Sequence, residues 1–146
     1  MFYGEYRHNL DRKGRLILPS KFRETCKEYA IERFFLTRGL DQCIFMFTDD
    51  EWRQQENRFK SLPFTKQESR YFNRMFFAGA TDVRPDKQGR FIIPDYLKEY
   101  AAIKRETVFV GVSNRIEIWD RGVWQDFYKT AGGGYEQIAE NLMSLH

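Results

Sequence analysis

Asp11-Arg12-Lys13-Gly14-Arg15-Leu16-Ile17-Leu18-Pro19 returns 75 positions later as Asp86-Lys87-Gln88-Gly89-Arg90-Phe91-Ile92-Ile93-Pro94. Asp, Gly, Arg and Pro keep their spacing, and every residue between Arg and Pro is apolar in both copies. A lone Asp-x-x-x-Arg is close to a chance pattern in a chain of this length. Two nine-residue copies are not. The likeness extends outward: Phe2 and Gly4 match Phe77 and Gly79, and Phe22-Arg23-Glu24 matches Leu97-Lys98-Glu99. With a three-residue deletion in the second copy, Gly39 matches Gly111, Ile44 matches Ile116 and Trp52 matches Trp124. The chain reads as a tandem duplication of a unit of roughly 75 residues, and that decides the fold before any single element does.

Within each unit the local signals repeat. Residues 2–10 read as a strand, and Asp11 to Gly14 as a tight hairpin loop. There the Asp carboxylate can accept backbone N–H bonds, and Gly supplies the positive φ that a short loop needs. Arg15 to Leu18 is the expected return strand. Pro19 suits the first turn of a helix over residues 20–29, with Phe22 and Cys26 on its inner face. Residues 34–38 and 43–47 form the next hairpin. Thr48 with Glu51, and Thr65 with Glu68, read as capping boxes opening two helices. The second of these should bury Phe72, Met75 and Phe76 and show Arg70 and Arg74 to solvent. The second unit follows suit: a strand at 77–83, a loop at 86–89, a helix from Pro94, and a hairpin over 107–119. Asp120 caps a helix carrying Trp124, Gly132 to Gly134 break it, and an amphipathic helix runs from Tyr135 to about Leu145. The coarse pattern is ββαββα(α), twice.

A chain of 146 residues fits one compact domain, or two small ones sharing a core. An apolar fraction of 42% and an aromatic fraction of 17% can fill a core, and no run approaches the roughly 20 apolar residues of a membrane span. The N-terminal residues lack the regions of a signal peptide, and Cys26 and Cys43 have no paired spacing, so they read as reduced thiols of a cytoplasmic protein. Net charge is only +3, so its placement matters more than its sum. From Arg7 to Lys27 seven cations face two acids, whereas from Asp82 to Glu99 four cations face four acids. The positive field belongs to the first repeat.

A unit of two hairpins and a short helix has too little apolar area to stand alone. Two units fused in tandem would close one small barrel about a pseudo-two-fold axis, with the two loops as symmetry mates. Asp11 should then pair with Arg15, and Asp86 with Arg90. The plainest role for such pairs is to fasten the loops. Arg12 and Lys13 at the first tip exceed that need, because fastening requires no cation there.

On these residues the whole chain resembles the MraZ family, bacterial transcriptional regulators built from two SpoVT-AbrB-type repeats. The resemblance implies an α+β fold, the swapped-hairpin (double-split) β-barrel of AbrB-type and MazE-type proteins with peripheral helices. Repeats would span 5–50 and 79–122, with a helical connection at 51–76 and C-terminal helices at 123–146. It implies binding to double-stranded DNA at short direct repeats upstream of the division and cell-wall gene cluster, autorepression, a nucleoid-associated location, and a ring-shaped homo-oligomer. The motif residues carry over onto Asp11, Arg15, Asp86 and Arg90. Physical chemistry adds roles. Arg12, Lys13, Lys21 and Arg23 suit phosphates. Arg15, or the loop-tip Arg12, suits bidentate contact with guanine edges, and Lys87 and Arg90 of the second, less basic loop complete the DNA-binding set.

Other classes fit less well. Asp11 and Asp86 could be an aspartic-protease pair, but an Arg four residues on would hold each ionised rather than let them share a proton. His8 and His146 are the only histidines, no Cys/His spacing suggests zinc, and Gly132 to Gly134 lack the following Lys-Ser/Thr of a phosphate loop. The expectation is therefore no enzyme, no cofactor, no metal, no small-molecule substrate and no membrane partner. Trp52 and Trp124 read as core or subunit contact. The remaining alternative is an AbrB-type protein-interaction module without specific DNA binding. It would carry a disordered partner-binding tail, where this chain places Tyr135, Ile138, Leu142 and Leu145 on one helical face.

Overall fold

The computed structural model describes residues 1–144; Leu145 and His146, the expected end of the last helix, lie outside the described residues. The elements are β1 (Phe2–Asn9), β2 (Arg15–Ile17), α1 (Ser20–Glu28), β3 (Phe34–Arg38), β4 (Ile44–Thr48), α2 (Asp49–Lys60) and α3 (Gln67–Ala78). The second half adds β5 (Thr81–Val83), β6 (Arg90–Ile92), α4 (Asp95–Tyr100), β7 (Glu106–Ser113), β8 (Ile116–Asp120), α5 (Arg121–Gly132) and α6 (Tyr135–Met143). The strand and helix order repeats as the duplication requires.

The strands do not pair as the sequence suggests. The expected hairpins β1–β2 and β5–β6 are absent as ladders. Instead β1 pairs with β7 over its whole length, β5 pairs with β3, and β2 pairs with β6, all antiparallel. The result is mixed α+β: an open six-stranded sheet in the order β1-β7-β8-β4-β3-β5, and a separate two-stranded ribbon, β2-β6. The expected single closed barrel is thus not closed by its hydrogen bonds, because β1 and β5 are free edges of the sheet. Alternation along a strand fixes which face is buried, but not which neighbour supplies the ladder.

The registers keep the duplication's symmetry. Leu16 faces Phe91 in the ribbon, and Phe45 faces Glu117 between β4 and β8. Each residue there meets its own repeat counterpart, so a pseudo-two-fold passes through both pairs. The main core is shared on the same terms. Leu16, Leu18 and Phe22 from the first unit, and Phe91, Ile93 and Leu97 from the second, are equivalent triplets and all are buried. Each such side chain contributes about 1.5–3 kcal/mol of burial that neither unit could realise alone. A second, aromatic cluster sits under α2 and α3. In it the Trp52 ring lies nearly parallel to Phe35 and to Phe76, at 5.1 and 5.4 Å between centroids.

Several local expectations need correction. Phe77 lies in the last turn of α3 rather than opening a strand, and β5 begins only at Thr81, so the match of Phe2 with Phe77 does not survive folding. Phe2 is core, whereas Phe77 packs into the aromatic cluster. Thr65 does not cap α3: Lys66 precedes the helix with no side-chain cap, and the Thr65 carbonyl accepts from Arg70. Met75 is exposed, unlike Phe76, because the helix leans on one side only. Pro19 and Pro94 stand just before their helices, in extended conformation, rather than inside the first turn. Thr48 and Asp120 do cap α2 and α5, by accepting from Glu51 N–H and from Gly122 and Val123 N–H.

The ribbon's two faces should differ sharply in denaturant titrations. Leu16→Ala, at a fully buried site, is expected to cost about 2–5 kcal/mol. Ile17→Ala, on the exposed face, should stay within about 0.5 kcal/mol of the parent. Equal losses would mean that the ribbon does not close the core.

Candidate nucleic-acid interface

Each loop is built around one carboxylate. Asp11 Oδ1 accepts from the backbone N–H of Lys13 and of Arg15, both at 2.9 Å, and Oδ2 accepts from Arg15 Nε at 2.7 Å. Asp86 repeats this with Gln88 N–H at 3.0 Å, Arg90 N–H at 2.9 Å and Arg90 Nε at 2.9 Å. The backbone closes in parallel: Asp11 N–H donates to Arg15 C=O and Gly14 N–H to Asp11 C=O, with Asp86, Arg90 and Gly89 doing the same. Gly14 and Gly89 sit at φ +74° and +83°, the conformation that any side chain would strain. The expected Asp–Arg pairs are therefore present, and the Arg contributes its Nε edge.

Using Nε leaves the outer Nη edge of Arg15 without a protein acceptor among the described residues. Arg90 differs, because its Nη2 donates to the Gln88 side chain at 2.9 Å. That asymmetry matches the tips: Arg12 and Lys13 are exposed in the first loop, and Lys87 with Gln88 in the second.

The ribbon brings the two loops together. Arg15 stands opposite Ile92 and Ile17 opposite Arg90, while Leu16 and Phe91 point inward. The loops flank the ribbon's two ends and share its outward face. Each is also tied to the other repeat, since Leu18 N–H donates to Gly89 C=O at 2.8 Å and Ile93 N–H approaches Gly14 C=O at 3.4 Å.

Two cations turn out to have roles that the sequence could not assign. Arg23 on α1 crosses to the second loop, where Nη1 donates to Gln88 C=O at 3.2 Å and its stem covers Gly89. Its counterpart Lys98 on α4 lies over Gly14 of the first loop and pairs with Asp95 at 3.0 Å. Only the match of Arg23 with Lys98 in the repeat alignment hinted at this. Lys21 remains mostly solvated, 3.8 Å from Glu24. Trp52 is core, and Trp124 is half-buried with its indole N–H donated to Glu5 at 2.6 Å.

The electrostatics favour the ionised form of both carboxylates. Asp11 and Asp86 are each held below the ordinary value of 3.8, chiefly by the backbone N–H of Arg15 or Arg90 and then by that Arg's side chain, with partial desolvation opposing. Since the folded value is depressed, the stabilisation is complete above the unfolded value and is lost as pH falls through the folded one. Carboxyl NMR titration should place both midpoints below 3.8. Arg15→Ala should raise the Asp11 midpoint only part of the way back, since the backbone donor remains, and leave Asp86 unmoved. A midpoint near 3.8 for Asp11 in the parent would contradict the clamp.

Cys26 and Cys43 are unpaired; burial pushes the Cys26 thiol up to about 11 and Cys43 higher still. No helix of the described residues is long and apolar enough to cross a membrane. Among solved structures the chain is similar to the solution structure of PHS018 from Pyrococcus horikoshii. That likeness has 17% identity over 81% of this chain and 88% of the other, with a TM-score of 0.31. The family model described as "MraZ protein, putative antitoxin-like" matches twice in tandem, at residues 1–75 and 76–144. With both halves matched over nearly its whole length, the chain belongs to the MraZ family.

Proposed function

We propose that this chain is a sequence-specific DNA-binding regulator of transcription. It represses its own promoter by engaging short direct repeats upstream of the division and cell-wall gene cluster. It acts as a ring-shaped homo-oligomer at the nucleoid in the cytoplasm. One observation carries the reading: two carboxylate-braced arginines share the outward face of one short ribbon, with Arg12, Lys13 and Lys87 exposed at the loop tips. An Nε-braced guanidinium is pre-oriented, so less side-chain freedom is lost when its Nη edge meets a base. Arg15 is the base reader, Arg90 its partner, and Arg12, Lys13, Lys21 and Lys87 hold phosphates. Arg23 contributes charge while steadying the second loop. In this reading the sheet and ribbon together form the barrel of the AbrB type, with repeats at 5–50 and 79–122, a helical connection at 51–76 and C-terminal helices at 123–146.

Ring assembly would set several such ribbons in register, so that weak contacts add through effective concentration. The apolar face of α6 supports it, since Tyr135, Ile138 and Leu142 are all exposed in the single chain.

Fluorescence anisotropy with the chain's own upstream DNA against a scrambled duplex tests the reading. The parent should prefer the upstream duplex. Arg15→Ala should keep its fold and oligomer and lose that preference. Lys13→Ala should weaken both duplexes alike and lower the salt slope by about 0.9 for each phosphate that is no longer neutralised. A folded Arg15→Ala protein with an unchanged footprint would overturn the assignment. No preference in the parent would leave the protein-interaction module as the better reading.

A further inference from the structure

The outward face of the ribbon is not simply basic. Ile17 is 40% exposed and Ile92 is 60% exposed, while Leu16 and Phe91 beside them are buried. The register sets Arg15 opposite Ile92 and Ile17 opposite Arg90. The face is therefore a four-residue patch, with the arginines on one diagonal and the isoleucines on the other. Strand spacing and rise put the two isoleucine Cα atoms roughly 8 Å apart, and each isoleucine about 7 Å along its own strand from an arginine. Neither exposed isoleucine belongs to the buried core clusters. The loop tips border it with Arg12, Lys13 and Lys87, so its partner is an anion rather than a second apolar surface.

An anionic partner that also offers small apolar groups beside guanine edges is duplex DNA seen from the major groove. There the thymine C5-methyl is the apolar group on a base edge, and the groove admits a two-stranded ribbon. We infer that Ile17 and Ile92 are specificity determinants that contact thymine methyl groups, with the β2–β6 ribbon lying in the major groove and Arg15 and Arg90 donating to guanine edges beside them. The inference rests on the DNA-binding reading above. It adds the element that enters the groove and a second base type to be read. Along one strand of the ribbon, the arginine-to-isoleucine spacing corresponds to roughly two base-pair steps. The antiparallel pairing presents this arginine–isoleucine pair twice, in opposite directions.

Replacing thymines of the upstream duplex one at a time by deoxyuridine removes the methyl and leaves the pairing edge intact. At the contacted positions the parent should lose about fourfold in affinity per methyl. Ile17→Ala and Ile92→Ala should each bind the natural duplex more weakly and become insensitive to deoxyuridine at its own positions. Both should keep the parent's denaturation midpoint. If the parent prefers the upstream duplex yet no deoxyuridine changes its affinity, the inference fails and the DNA-binding reading stands. A deoxyuridine effect that persists undiminished in the double variant would also overturn it, because the methyls would then be read elsewhere. A parent with no preference over scrambled DNA would remove both.

Discussion

Three residues of β2 and three of β6 make a pairing too short to survive by itself, yet the candidate site depends on it. The ribbon holds because Leu16 and Phe91 turn into a core that both repeats supply, and because Leu18 and Ile93 reach past it to the opposite loop. Removing either side leaves two unconnected turns. With both present, the two Asp-x-x-x-Arg loops become the ends of one rigid object. A duplicated sequence thereby gains a symmetric surface that neither copy encodes.

The carboxylate in each loop then decides what its arginine can do. Asp11 and Asp86 spend one oxygen on two backbone N–H groups and the other on an Arg Nε. The turn and the guanidinium are fixed by the same group, so loop shape and arginine direction cannot drift apart. Exposed ion pairs add little to stability. Their value here is orientation of the guanidinium. The second loop is further restrained by Gln88 and Arg23, while the first keeps more free cationic edge. The asymmetry in charge between the repeats thus has a counterpart in geometry.

Much of this was legible in the sequence, for identifiable reasons. The spacing of Asp, Gly, Arg and Pro is local, and so are the clamp and the positive-φ glycines it predicts. The caps at Thr48 and Asp120 are equally local. Strand partners were not legible, because β1 looks the same whether it pairs with β2 or β7; only the shared core selects between them. Phe77 stayed helical and left the strand that the repeat suggested, since the aromatic cluster around Trp52 and Phe76 offered it a packed site. The crossing of Arg23 and Lys98 to the opposite loops needed the fold itself.

We propose that the paired loops and their ribbon form the surface that meets DNA. Mapping protein–DNA crosslinks by mass spectrometry on the intact assembly tests it most directly. Crosslinked peptides should span residues 11–18 and 86–93, on β2, β6 and their loops. Crosslinks confined to α2 and α3, or to α5 and α6, with the ribbon untouched, would contradict it.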